Sequence, residues 1–145
     1  MFPTLIVLIT FGVVEVFSNQ RLLFASLASS AFLIYVDPQH GMNRVRVLVF
    51  AQLGAAVIGL LFYLVIGSAY ISGGAAMIVT ILMMILFDVV HPPAVSTALS
   101  FAFRSGDASN LLIFGLSVAM VAMLVVLQLV SIRLLSRKNR QDHQK

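Results

Sequence analysis

The sequence contains no cysteine and no tryptophan, it has only four prolines, and charged residues fill just 10% of its 145 positions. Without cysteine there can be no disulfide and no thiolate metal site. Soluble domains carry roughly a quarter of charged residues. So few charges, with 61% hydrophobic residues and a mean hydropathy of +1.07, exclude an ordinary soluble domain and point to a small polytopic membrane protein. The opening stretch MFPTLIVLIT has neither the basic start nor the small-residue cleavage motif of a cleaved signal, and it reads as a membrane segment.

The formal charge of +4 would suit a nucleic-acid binder only if the basic residues formed a patch with interleaved aromatics, and they do not. Five of the nine lie at the end of the chain: Arg133, Arg137, Lys138, Arg140 and Lys145. Behind an apolar helix, such a tail reads as a cytoplasmic anchor able to touch anionic lipid, short, polar and frayed from Lys138 to Lys145.

Apolar runs occupy about 2–17, 22–36, 47–70, 74–90, 94–103 and 110–132. At about 1.5 Å per helical residue against about 30 Å of hydrocarbon, the third and sixth cross comfortably and the first and fourth are marginal. The second and fifth are too short to cross alone, and lipid cannot satisfy their free backbone ends. The order marginal, short, long occurs twice. We therefore expect an all-α membrane protein built as one integral membrane domain over 1–136, with repeat halves of about 1–66 and 72–135 and a basic cytoplasmic tail at 137–145. Four longer transmembrane helices and two short or half-helices make up the two weak three-segment repeats. If all six runs cross, Arg44, Arg46 and the five tail residues share one face, against Arg21 and Arg104 on the other. If the short runs re-enter, the bias nearly vanishes. The positive-inside rule prefers the first arrangement, an inverted repeat with both termini cytoplasmic, in a plasma, inner or plastid-type membrane.

The stretch FDVVHPPAVST, residues 87–97, interrupts the fourth run. Pro93 suits the first turn of a helix, and Pro92 with Pro93 stops the preceding one from continuing. A half-helix starting there would offer free N–H groups from Ala94 onward, with the Ser96 and Thr97 hydroxyls beside them, as a site for a small anion. In the first half, Ser26, Ser29 and Ser30 fall on one helical face and could meet the face of Ser96 and Ser100 across the pseudo-symmetry axis. The alternative is that these serines bond their own helix carbonyls and only pack. His91 and Asp88, three apart, form either a proton-carrying pair or a helix-end cap. Glu15 sits either beside a pathway or at headgroup depth.

At HPPAVSTAL, residues 91–99, the chain resembles the HPP family of small integral membrane proteins, keeping His91, Pro92, Pro93, Ala94, Thr97 and Ala98 and departing at Val95 and Ser96. The stretch LLFASLASSAFLIY followed by Pro38 and Arg46 is also similar to the family's first half; where the family has an Arg-Asn and a Gly-His pair, this chain has Arg46-Val47 and Ala51-Gln52. The resemblance implies four membrane spans and transport, since plastid and cyanobacterial members are associated with moving nitrite.

The leading expectation is thus a transporter or facilitator for a small monovalent inorganic anion, first of all nitrite. It would be bound by His91, Pro92, Pro93, Ala94, Ser96 and Thr97 together with Ser26, Ser29 and Ser30; Asp88 and His91 would couple a proton and Arg46 would attract the anion. An uncoupled anion channel and a non-transporting membrane subunit that scaffolds or regulates a partner are the alternatives. The histidines at 40, 91 and 143 lack metal-ligand spacing and no glycine-rich phosphate loop occurs, so neither an enzyme nor a cofactor is expected. Gly73-Gly74 reads as a helix boundary. The small face of Gly54, Ala55 and Gly59 permits close helix contact within or between subunits, and a homo-oligomer is expected.

Overall fold

The computed structural model describes residues 21–103 and 110–142. The first apolar run with Glu15, together with Arg104, lies outside these residues. Five α-helices are described: α1 Arg21–Val36, α2 Val45–Ile66, α3 Tyr70–Leu86, α4 Ala94–Ala102 and α5 Asn110–Asp142. A 3-10 turn, Gly41–Asn43, joins α1 to α2. There is no strand among the described residues.

Two helices contain stretches long and apolar enough to cross a bilayer, Val45–Ile66 in α2 and Phe114–Leu134 in α5. The 17 residues of α3 and the apolar stretch Ala25–Val36 of α1 are shorter. At nine residues, α4 extends only about 14 Å. It therefore sits inside protein, packed against α1, α2 and α3, while α5 covers α1 and α2.

Helix ends correct several expectations. Gly67 closes α2 at φ +87°, a left-handed backbone that favours glycine, and its N–H returns to the Tyr63 carbonyl. The next helix therefore begins at Tyr70, and Gly73-Gly74 lies inside α3 rather than at a boundary. Gly73 has a packing reason to be there, because a Cβ would strike the Phe103 ring. That ring also meets Tyr70 edge-on at 5.8 Å.

The prolines are not what ends α3. Asp88 takes a left-handed φ of 53°, its N–H bonds the Ile85 carbonyl, and the Val89 N–H bonds the Met84 carbonyl. This pattern of crossed bonds is the Schellman stop, here with Val89 and Met84 both buried. At the far end, α5 continues as helix to Asp142, so the basic tail is helical through most of its length.

Two cores flank α4. On one side lie large apolar side chains of α1, α2, α4 and α5: Leu27, Ile34, Leu48, Phe101, Leu124 and Leu127. On the other, Ala51, Ala55, Ala76, Ala94, Ala98 and Ala102 bring α2, α3 and α4 together. Lipid tails are as apolar as these side chains, so close packing rather than escape from water must hold such helices. Gly59 shows how close: a Cβ there would lie 2.2 Å from the Ala98 carbonyl oxygen. The small face of α2 is thus used within the chain.

Candidate functional site

Between the two cores, polar side chains from α1, α2, α4 and the α3–α4 connection converge. Ser26, Ser30 and His91 are fully buried, and Thr97 and Gln52 nearly so. Gln52 is the hub. Its Nε2 donates to Ser26 Oγ at 3.2 Å and to Ser30 Oγ at 3.1 Å, while its Oε1 accepts from the Thr97 hydroxyl. Ser26 has one proton and three acceptors within reach, the Thr97 hydroxyl at 2.7 Å, the Pro93 carbonyl at 2.8 Å and Gln52 Oε1 at 3.3 Å, so this hydroxyl can turn between them.

His91 closes the other end of the cluster. Its Nδ1 lies 3.2 Å from the Met42 carbonyl, which can only accept, so Nδ1 carries the hydrogen. In the neutral ring Nε2 then accepts from the Ser30 hydroxyl at 2.8 Å. The loop that supplies Met42 is held from two more sides. Asn43 donates to the Leu33 and Asp37 carbonyls at 2.9 and 2.7 Å, capping α1, and Gln128 of α5 donates to the Pro38 carbonyl.

The candidate site residues singled out in the sequence now have places. Ser26, Ser30, Thr97, His91 and the Pro93 carbonyl meet in one cluster, and the buried Ala94 starts α4 beside it. Ser29 does not join them: it is exposed, because it sits about 100° round the helix from Ser30. Pro92 is exposed as well. Ser96 is half-buried, and its carbonyl accepts from Ser100 at 2.8 Å, a bond within the helix. The expected free N–H groups at the start of α4 are occupied: Ala94, Val95 and Ser96 donate to the carbonyls of His91, Pro92 and Pro93 at 2.9, 3.1 and 3.1 Å. The turn enforced by the two prolines brings those carbonyls within reach, so hydroxyls and an amide are the groups that line the cluster. Asp88 is exposed in the stop of α3, and both ring nitrogens of His91 are engaged elsewhere, so the expected pair does not form. Arg46 is exposed in the first turn of α2, outside the cluster.

From sequence, Gln52 registers only as a departure from the family pattern, although a lone amide midway along an apolar helix was the available signal. The Met42 carbonyl gives no such signal, because any residue supplies one. Beside Gln52 and Thr97 a cavity of about 10 Å³ continues toward α5, lined also by Ser117, Met120, Val121 and Leu124.

The family model for the HPP transmembrane region matches residues 1–142. The chain belongs to the HPP transmembrane family. It is a membrane protein, and the HPP tripeptide itself is seen to place one buried histidine and one buried carbonyl in the polar cluster. No curated protein and no solved structure matches the chain. Among the described residues, no group of three or more His, Cys, Asp or Glu side chains is placed to hold a metal.

Proposed function

We propose that this chain is a transporter or facilitator for a small monovalent anion, with nitrite the first candidate, and that the solute passes the Ser26–Ser30–Gln52–Thr97–His91 cluster. The observation that carries this reading is five polar side chains buried together and joined by hydrogen bonds within a largely apolar bundle. Polar side chains inside a membrane bundle can tie helices together, and hydroxyls that can turn are also suited to greet a solute. Ser26, Ser30 and Thr97 can each redirect a proton, Gln52 holds two N–H donors, and among the described residues no carboxylate joins the cluster to repel an anion.

In the described conformation these groups satisfy one another. The adjoining cavity admits about one water, so passage of a triatomic anion requires the helices around it to separate. His91 is the group through which a proton would be coupled. Gaining one at Nε2 turns that atom from acceptor to donor and forces the Ser30 hydroxyl to reorient. Asp88, exposed in its helix stop, has no part in this reading.

The architecture fits an inverted repeat pairing α1 with α4 and α2 with α5. What supports it is reciprocity: α1 packs on α5 as α4 packs on α2. We place both termini in the cytoplasm on the charge bias of the loops, and we expect a homo-oligomer whose contacts lie outside the small-residue face already used inside the chain.

The test is uptake of nitrite, with nitrate and formate as comparisons, into liposomes holding the purified protein under imposed pH gradients. Saturable nitrite flux that follows the gradient and is lost in His91→Ala is the expected result. Flux indifferent to the gradient and to the mutation favours an uncoupled channel. No flux of any anion above empty liposomes overturns the proposal and leaves a scaffold or regulatory subunit.

A further inference from the structure

Arg46, left outside the polar cluster, stands at the end of a separate feature. A groove of about 510 Å³ runs between α2 and α3, within the size range of small-molecule sites. Val49, Phe50 and Leu53 line it from α2, and Met83 and Phe87 from α3. The two helices close on each other at Gly54, where a Cβ would lie 2.8 Å from Met83 Cε. Positions 46, 49, 50 and 53 are spaced by three and four, so Arg46 occupies the same stripe of α2 as the groove wall, one turn nearer the helix end. It is exposed, and among the described residues no side chain pairs with its guanidinium.

The depth of this stripe follows from the fold. With 22 residues, α2 extends about 33 Å against about 30 Å of hydrocarbon, which sets its first turn at headgroup level and the groove inward of it. An apolar groove by itself selects nothing in a bilayer, since lipid tails are as apolar as its walls. The cation beside it does select: a guanidinium at that depth offers paired N–H donors to a phosphodiester. A spanning helix of a second copy would bring Arg46 no countercharge, because none of the described membrane-length or shorter apolar stretches contains Asp or Glu. Asp88, exposed next to the lining residue Phe87, opposes a headgroup of net negative charge. We infer that the groove is a binding site for one zwitterionic phospholipid, with an acyl chain along Phe50 and Phe87 and the phosphate on Arg46. This site does not depend on which solute, if any, the protein carries.

The full-length protein in detergent, equilibrated with phosphatidylethanolamine, phosphatidylglycerol or diacylglycerol of the same chains and read by native mass spectrometry, provides the test. The wild type should retain one phosphatidylethanolamine per chain, less phosphatidylglycerol and no diacylglycerol. Arg46→Gln should weaken retention about fivefold, the worth of one cation at a membrane surface. Arg44→Gln removes an equal charge from the same end of α2, but about 200° round the helix, and should leave retention unchanged. Val49→Trp, which fills the groove and keeps Arg46, should abolish it. Because the chain has no cysteine, Phe50→Cys reports a competing occupant: a disulfide between two copies on oxidation would place a second copy in the groove. That crosslink overturns the inference, as does a wild type that holds diacylglycerol or phosphatidylglycerol as well as phosphatidylethanolamine, or an equal loss in Arg46→Gln and Arg44→Gln.

Discussion

The two sides of α4 are held by different physics. Toward α2 and α3 it presents alanines, and the backbones come close enough that Gly59 has no room for a methyl group. Toward α1 it presents Thr97 as well as Phe101, and beside the large apolar side chains contact is made by hydroxyls and the Gln52 amide. Alanine packing is stiff: small displacements clash at once or forfeit dispersion contacts on every side. Hydrogen bonds among rotatable hydroxyls can be exchanged one at a time. A rearrangement that opens the bundle should therefore run along the polar side and carry α2, α3 and α4 as a unit.

Breaking the alanine side should have the largest effect. Gly59→Val places carbon atoms against the Ala98 carbonyl and the Phe101 Cβ, neither of which can yield cheaply. We expect a loss of about 3 kcal/mol or more, beyond ordinary overpacking, seen as a collapsed melting temperature in detergent by circular dichroism. A variant that melts like the wild type would show that α2 and α4 are free to move apart.

On the polar side the expected loss is smaller. Gln52→Leu removes the partner shared by Ser26, Ser30 and Thr97, although each keeps another: Pro93, His91 and Ser26 respectively. A destabilisation of about 2 kcal/mol follows, together with loss of any nitrite flux. Unchanged flux in a folded Gln52→Leu protein would remove the cluster from the pathway.

Thr80 sharpens the comparison because it is a stray hydroxyl on the stiff side, fully buried and without a hydrogen-bond partner among the described residues. Replacing it by the similarly shaped valine should raise stability by about 1 kcal/mol. A fall would reveal a partner for that hydroxyl. The smallest effect is expected at Ser29, which is exposed beside the two buried serines of the cluster: Ser29→Ala should alter stability by no more than about 0.5 kcal/mol and leave flux unchanged.

Much of the candidate site was legible as residue types, less of it as partnerships. The spacing of Ser26, Ser29 and Ser30 identified a hydroxyl-bearing face, but a helical period cannot say where the buried arc ends, and Ser29 falls beyond it. His91 and Asp88 looked like a pair because they stand three positions apart, on one face of a helix. Asp88 instead adopts the left-handed turn that ends α3, and the helix on which their facing depended is gone before His91. Free N–H donors at the start of α4 were expected from the proline break, yet the same break curls the His91, Pro92 and Pro93 carbonyls back onto them.

By itself, the sequence determined that this is a membrane protein, that its helices are interrupted before Ala94, and that a short helix of small and hydroxyl residues follows. These are properties of composition and of bonds between near neighbours, and they hold wherever the segment lies. Only the tertiary structure decided that Ser26 meets Thr97 across 71 residues of chain and Ser30 meets His91 across 61, with Gln52 reaching all three hydroxyls. Hydrogen bonds act over about 3 Å, so whether two such groups meet depends on how whole helices pack. In lipid, that packing follows from where Gly59 and the alanines let backbones approach.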